Sequence, residues 1–541
     1  MMRLRPRSLQ IEAGDAGARR HLAGCNSGVL VAALANLSIS YNVVSVSLAL
    51  EAMKAIYPEN TSAIVAASSS IIGGMVVGQL LFGRLGDYIS HHRALALTLC
   101  VCGVGALGSS LLRVDGFHIM GSIFGQLAAW RFVLGVGAGG VYPLGAIMAK
   151  ESSSGSGSTA VALVFSMQGI GYMLSPLMML LLLTLMPHQG SIWLVWRIQL
   201  GIGCVPVLAT ACLVMLVERW DREASQLGSR DEPMLAPESN DIDHQTGPLA
   251  EDGYLKSSGH NICLWPHLKK LLGTGGSWFL FDLTFYSNTL FEPEVLESAF
   301  SSSGTGDALM DTAWKAALLS FISAPGYAFA VILMGKIGAR RIQLQGLLMM
   351  SLLYLAIGLS FSRLRGHPVL MVALYGATFF FSNFGPNSTT FVLPSITFPP
   401  HVRSSLNGVS AACGKGGALL GALAFEPLSA AVGSAPVIAF CGGISCAAFV
   451  LTYFLVHPHD SEMLALESSD SGGAFHAHLS PVGSSPTHQV SSPGEGGAGV
   501  SSPPSQLSMT RRKSKSSDPS PDDAAALLGA SRPEDAASQL I

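Results

Sequence analysis

Charged residues are scarce: Asp, Glu, Lys and Arg together make up 12% of the 541 residues, about half the roughly 25% of a soluble domain. Too few charges remain to cover a water-facing surface of ordinary size. The net charge is −3 with no concentrated basic face, which excludes nucleic acid as a partner. The nine cysteines are scattered and mostly lie inside apolar runs. Only "CVC", at Cys100 and Cys102, places two close together, without metal-ligand spacing, so the cysteines read as packing residues and no metal is expected. No nucleophile, base and oxyanion constellation occurs, which excludes an enzyme with a catalytic residue. The glycines at 135, 137, 139 and 140 are spaced as in a dinucleotide fingerprint. They sit inside an apolar helix with no preceding strand and no acidic partner about 20 residues on, so they imply close helix packing and no cofactor.

Hydrophobic residues make up 49% of the chain and the mean hydropathy is +0.45. Between residues 27 and 456, apolar runs of about 20 residues alternate with short polar turns, the signature of transmembrane helices. Twelve spans are expected, at 27–50, 62–84, 94–113, 119–148, 158–186, 192–217, 273–295, 312–335, 342–361, 367–392, 404–430 and 433–456. The fold class is therefore an all-α polytopic membrane protein. A polar, acidic stretch splits the spans six and six. This divides the chain into an N-terminal segment (1–26), a six-helix bundle (27–217), a linker (218–270), a second bundle (271–456) and a tail (457–541) rich in Ser, Pro and Gly. The linker and tail have the composition of disordered segments. In the tail, "DDAAALL", Asp522 to Leu528, resembles an acidic dileucine sorting signal.

The start of the chain carries five arginines and runs into a full-length span, so no cleaved signal peptide is expected. Arg84, Arg93, Lys336, Arg340, Arg341 and Arg403 fall in loops on the same side as that start, which the positive-inside rule makes cytoplasmic, with both termini there. Arg363 and Arg365 fall on the other side against that majority. The membrane is the plasma membrane or an endomembrane. Of three glycosylation sequons, Asn60 lies in the first outer loop, while Asn36 and Asn387 lie inside spans and out of reach.

One carboxylate breaks the apolar pattern. In "WFLFDLTFYSNTLF", Asp282 sits mid-span, where an unpaired ionised carboxylate costs about 2.5–3.5 kcal/mol on insertion scales. Glu51 and Glu426 fall toward span ends, and Asp87 and Glu151 toward the cytoplasmic surface. Asp282 is thus expected to be paired, protonated or facing a wet cavity. Trp278, Asp282 and Tyr286 recur every four residues and share a helix face. The cation expected opposite is Lys415, deep in the small-residue run "AACGKGGALL", whereas Arg131 and Arg197 are placed at helix starts.

Two six-helix halves joined by a long linker resemble the major facilitator superfamily, whose substrate site lies near the midplane between structural repeats. "GRLGDYISHHR", Gly83 to Arg93, resembles the superfamily loop in which an acid and a base latch helix ends. "RFVLGVGAGGVYP", from Arg131, resembles its fourth-helix motif. The resemblance makes Asp87, Arg93 and Arg131 the conformational latch. Within the superfamily, "GVGAGGVYPLGAIMAKE", "VFSMQGIG", "SWFLFDLTFYSNTLF", "FGPNSTTFVLP" and "LNGVSAACGKGGALLGA" are similar to segments of the phosphate:proton symporter family. That resemblance implies a substrate site of Tyr142, Gln168, Trp278, Asp282, Tyr286, Asn387 and Lys415, whose donors suit a tetrahedral oxyanion. The partners it implies are inorganic phosphate, a proton or another coupling ion, and the lipid bilayer.

The departures from the family pattern concern acids. Val141 stands where the signature has Asp, Ile39 and Asn42 flank Tyr41 where two acids are usual, and Ile396 lies near another missing acid. Asp282 is left as the one candidate for proton coupling. The expected function is secondary active transport of phosphate by alternating access. The alternatives are transport of an organophosphate or other anion, and a phosphate-sensing receptor of the same fold.

Overall fold

The computed structural model describes residues 7–57, 61–113, 122–153, 155–230, 265–288 and 308–457. Asn60, most of the linker, the end of the seventh expected span, and the tail with Asp522 to Leu528 lie outside the described residues. Among the described residues the secondary structure is helical throughout, with no strand.

Among the described residues, eleven helices are long and apolar enough to cross a membrane. In chain order the helices are α1 (Ser27–Lys54), the apolar part of a longer helix, then α2 (Thr61–Gly86), α3 (His91–Ser110), α4 (Ile123–Glu151), α5 (Gly157–Leu185) and α6 (Ile192–Glu223). After the linker come α7 (Ser277–Asn288), α8 (Ala308–Ile337), α9 (Ala339–Leu364), α10 (Val369–Thr397), α11 (Arg403–Val432) and α12 (Ser434–Leu455). The short α7 is the seventh expected span as far as it is described. The helix containing α6 continues to Arg230, past residue 217, because "RWDREASQLGSR" keeps helix-forming residues after the hydropathy has dropped.

Large apolar side chains such as Leu359, Ile332 and Phe454 are exposed, while Asn36, Gln199, Gln343 and Asn407 are buried. Exposed apolar side chains of that size suit a lipid surround. One of the buried amides is held by a neighbouring helix: Asn36 Nδ2 donates to the carbonyl oxygens of Val164 and Phe165, at 2.8 and 3.1 Å. The Asn36 sequon is therefore enclosed, as its position in a span predicts.

Glycine sets the closest packing. A Cβ at Gly78 of α2 would lie 1.9 Å from the Val136 carbonyl oxygen of α4, and one at Gly139 would lie 2.3 Å from that of Met75. The glycine run of α4 thus does the helix-packing work its spacing predicts. Gly78→Leu should lower the melting temperature of the purified protein by several degrees or abolish its accumulation, since overpacking costs about 1–3 kcal/mol or more. A melting temperature equal to wild type would contradict this packing.

Two departures from regular helix fall near one another. The turn Leu272–Gly276 leading into α7 is π-helical, and α10 is broken at Gly385, with Pro386 starting its second half. Proline lacks the N–H that the continuing helix needs, and its ring clashes with the carbonyl four residues back. Ser388 Oγ meets the resulting gap by donating to the Asn383 carbonyl oxygen at 2.7 Å.

The halves touch at both ends. At one end α2 meets α11 so closely that a Cβ on Gly408 would lie 2.3 Å from the Gln79 carbonyl oxygen, and Lys150 Nζ of α4 donates to the Ser395 carbonyl oxygen of α10 at 2.9 Å. At the other end Leu48, Met179, Leu182, Leu183 and Ala313, from α1, α5 and α8, form one apolar cluster.

Candidate functional site

Between these two contacts lies a small enclosed cavity of about 10 Å³ lined by Tyr142, Phe165, Gln168, Tyr172, Trp278, Asp282, Phe285, Tyr286, Asn387 and Lys415. All seven substrate-site residues expected from the sequence are on its wall, contributed by α4, α5, α7, α10 and α11.

The centre is an ion pair. Lys415 Nζ lies 2.9 Å from Asp282 Oδ2, with side chains only 6% and 3% exposed, and also donates to Tyr286 Oη at 3.2 Å. Glycine makes this approach possible: a Cβ on Gly414 would lie 2.4 Å from the Trp278 ring, and one on Gly417 would lie 2.1 Å from the Phe279 carbonyl oxygen. α11 therefore lies directly against α7, and the lysine between those glycines reaches the aspartate. The ammonium sits 4.9 Å from the Tyr286 ring centre and 5.7 Å from that of Tyr142, within range of the attraction between a cation and an aromatic face.

The opposite wall is neutral. Tyr142 Oη donates to Gln168 Oε1 at 3.4 Å, Gln168 Nε2 donates to Tyr327 Oη at 3.3 Å, and Asn387 Nδ2 donates to the same phenol at 3.0 Å. Tyr327 of α8 thus joins an amide from each half. The sequence reading missed it, and also missed Asn383, which accepts from Asn387. A search for charged groups and family positions passes over a tyrosine in "SAPGYAF". Its one signal is the neighbouring Gly326, where a Cβ would lie 2.4 Å from the Phe380 carbonyl oxygen.

The expected latch residues are not brought together. Asp87 accepts hydrogen bonds from the backbone N–H groups of Ser404 and Ser405, at 3.2 and 3.0 Å, and from the Ser405 hydroxyl. The residue before α11, Val402, offers no side-chain cap, so an aspartate from the other half caps that helix. Arg93 instead pairs with Glu218 of α6 at 2.8 Å. Arg131 is not a helix-start residue facing solvent. It is fully buried, and its Nη1 donates to the Asn42 carbonyl oxygen at 2.7 Å. Eight residues of α4, which begins at Ile123, precede it, so Arg131 lies inside the helix where it packs on α1.

Burial pushes the Asp87 carboxyl up from its ordinary value, while hydrogen bonds from Ser405 and Ser404 pull it down. The Asp87 carboxyl thus binds its proton more tightly here than a free carboxyl does. Asp87→Ala leaves two N–H groups of α11 uncapped, a loss of about 0.5–2 kcal/mol. It should speed alkylation of a single cysteine placed at the buried Thr397. An unchanged alkylation rate would show that the cap does not hold this end shut.

A multi-pass integral membrane protein whose two helical bundles enclose a polar, charged site is built as a secondary transporter. The comparisons with known proteins specify the class further. A family model described as the Major Facilitator Superfamily matches residues 29–422, and the chain belongs to that superfamily. Its relatives are transporters and not enzymes. They include the Inorganic phosphate transporter 1-11 of Oryza sativa subsp. japonica, 33% identical over 67% of this chain and 71% of that protein. Another is the Inorganic phosphate transporter PT2 of Toxoplasma gondii, 31% identical over 80% of this chain and 73% of that protein. Among solved structures, the proton:xylose symporter XylE superposes with a TM-score of 0.61 at 15% identity, covering 81% of this chain and 96% of that one. At that identity the likeness concerns the fold.

Proposed function

We infer that the protein is a secondary active transporter of inorganic phosphate that works by alternating access. The observation that carries this reading is the convergence of Tyr142, Gln168, Trp278, Asp282, Tyr286, Asn387 and Lys415 on one enclosed cavity, in a chain whose relatives are named as inorganic phosphate transporters.

In the proposed cycle, the end carrying Asp87 is cytoplasmic, by the distribution of basic loops. Opening the apolar cluster of α1, α5 and α8 admits phosphate from the far side, and releasing the Asp87 cap lets it leave. Inside, the oxyanion takes Lys415 from Asp282. An ionised Asp282 would then be a second anion in the same pocket, so phosphate occupancy favours its protonation. Asp282 is the proposed proton carrier on this account.

Uptake of radiolabelled phosphate into proteoliposomes tests the reading. Saturable uptake is expected, inhibited by unlabelled phosphate much better than by glycerol-phosphate, and driven by an imposed pH gradient. Uptake driven only by a sodium gradient would remove the proton from the cycle. Uptake no faster than in empty liposomes would remove the function.

A further inference from the structure

Both amide hydrogens of Asn387 are already committed, and the direction of that amide is set from outside the cavity. The chain of constraints starts at the Ser323 carbonyl oxygen, which can only accept and takes a hydrogen bond from Asn383 Nδ2 at 3.1 Å. That fixes the Asn383 amide, so its Oδ1 faces Asn387 and can only accept in turn. Asn387 Nδ2 donates one hydrogen to Asn383 Oδ1 at 2.7 Å and the other to Tyr327 Oη at 3.0 Å. An amide nitrogen has two hydrogens and no more. Asn387 lines the cavity, and with its nitrogen spent on Asn383 and Tyr327, the group it offers a ligand is its carbonyl oxygen.

An acceptor in an anion site repels a bare oxyanion and attracts one that carries a hydroxyl. Asp282, when ionised, is an acceptor on the opposite wall. We propose that Asn387, held by Tyr327 and Asn383 as positioning residues, is a specificity element that requires the bound oxyanion to donate a hydrogen bond. This admits phosphate and arsenate, which keep a P–OH or As–OH near neutral pH, and rejects sulfate, which has none. The proposal rests on the oxyanion reading of the cavity and adds the chemical feature that this site selects.

Buried polar groups left without a partner are what make such discrimination steep. A site built to hydrogen-bond a substrate hydroxyl rejects the analogue lacking it by factors of about 10⁴ or more. Here Asn387 Oδ1 would face a sulfate oxygen with no hydrogen between them, in a cavity too enclosed for water to mediate freely. Tyr327 adds leverage because it also accepts from Gln168 at 3.3 Å, so a single phenol orients one amide from each half of the protein.

The test is equilibrium competition on the purified full-length protein, with radiolabelled phosphate displaced by arsenate or sulfate. Mildly alkaline pH makes phosphate and sulfate both dianions that differ in the hydroxyl. Wild type should bind arsenate about as well as phosphate and sulfate at least about a hundredfold more weakly. Asn383→Leu and Tyr327→Phe each free an amide hydrogen of Asn387 and should narrow the sulfate discrimination about tenfold or more. The arsenate-to-phosphate ratio should stay as in wild type, which a merely loosened site would not produce. Unchanged sulfate discrimination in both folded variants overturns the positioning role. Wild type that binds sulfate as well as arsenate overturns the proposal without any variant, and leaves the phosphate site standing. Wild type that binds no oxyanion overturns the functional reading itself, and this proposal with it.

Discussion

Lys415→Ala is expected to abolish saturable phosphate binding and to destabilise the protein. The lysine is the charged donor of the cavity, 2.9 Å from Asp282 and 6% exposed. Of the other buried cations among the described residues, Arg131 serves the Asn42 carbonyl and Lys315 pairs with Asp311, and neither lines this cavity. Without Lys415 an arriving oxyanion meets tyrosine, tryptophan and amide donors beside an uncompensated carboxylate. Removing one partner of a buried ion pair costs about 3–5 kcal/mol, because the remaining charge is left in low dielectric. The two effects are separable. Lys415→Ala combined with Asp282→Asn should recover much of the lost melting temperature, since both charges are gone, and recover none of the phosphate affinity. Direct binding of radiolabelled phosphate to the purified variants measures one effect, and thermal unfolding the other. Undiminished affinity in Lys415→Ala would take the lysine out of the site.

The charged part of this site was legible in the sequence for a physical reason. A carboxylate and a lysine in the middle of apolar spans are costly alone, so their presence implies a partner, and Asp282 and Lys415 are each other's. The spans were legible for the same reason: hydropathy records the thickness of a bilayer. The glycines of α4 were read correctly because small residues in an apolar helix have few uses besides close approach. What the sequence concealed is neutral and relational. Tyr327 and Asn383 carry no charge and so stand out less than Asp282 or Lys415 in an apolar span, and nothing marks them until the fold places Tyr327 between Gln168 and Asn387. The latch shows a different limit. The loop motif made Asp87 stand out, and Asp87 does join the two halves. Two of its partners, however, are the N–H groups of Ser404 and Ser405, beside the Ser405 hydroxyl, and a backbone donor has no residue type by which to recognise it. Arg93 lies in the same loop motif, but the packing of α3 on α6 turns it toward Glu218.

Coupling gives the second large effect. Asp282→Asn is expected to retain phosphate binding, to lose uptake against a concentration gradient, and to lose most of the pH response that the ionisation of phosphate itself does not explain. In the empty site the ionised carboxylate holds Lys415 at 2.9 Å. A phosphate anion must take that ammonium away and then sit beside a like charge. Protonating Asp282 removes both penalties, so proton and anion favour each other's binding, and by linkage each raises the other's affinity by the same factor. The sign follows: acidification should raise apparent phosphate affinity in wild type. The Asp282→Asn variant, permanently neutral at that position, should bind at every pH as wild type does when acidified. Comparing the two at one pH cancels the change in the ionic form of phosphate. Transport separates the states more sharply. A carrier that binds phosphate but no proton can equilibrate phosphate across the membrane and cannot concentrate it, so under an imposed pH gradient the variant should reach an internal concentration equal to the external one. Accumulation as high as wild type would exclude Asp282 as the carrier. The proton would then have to be sought at other titratable groups, such as His91 and His92 at the Asp87 end, which lie 3.2 Å from Glu151 and 4.0 Å from Asp221.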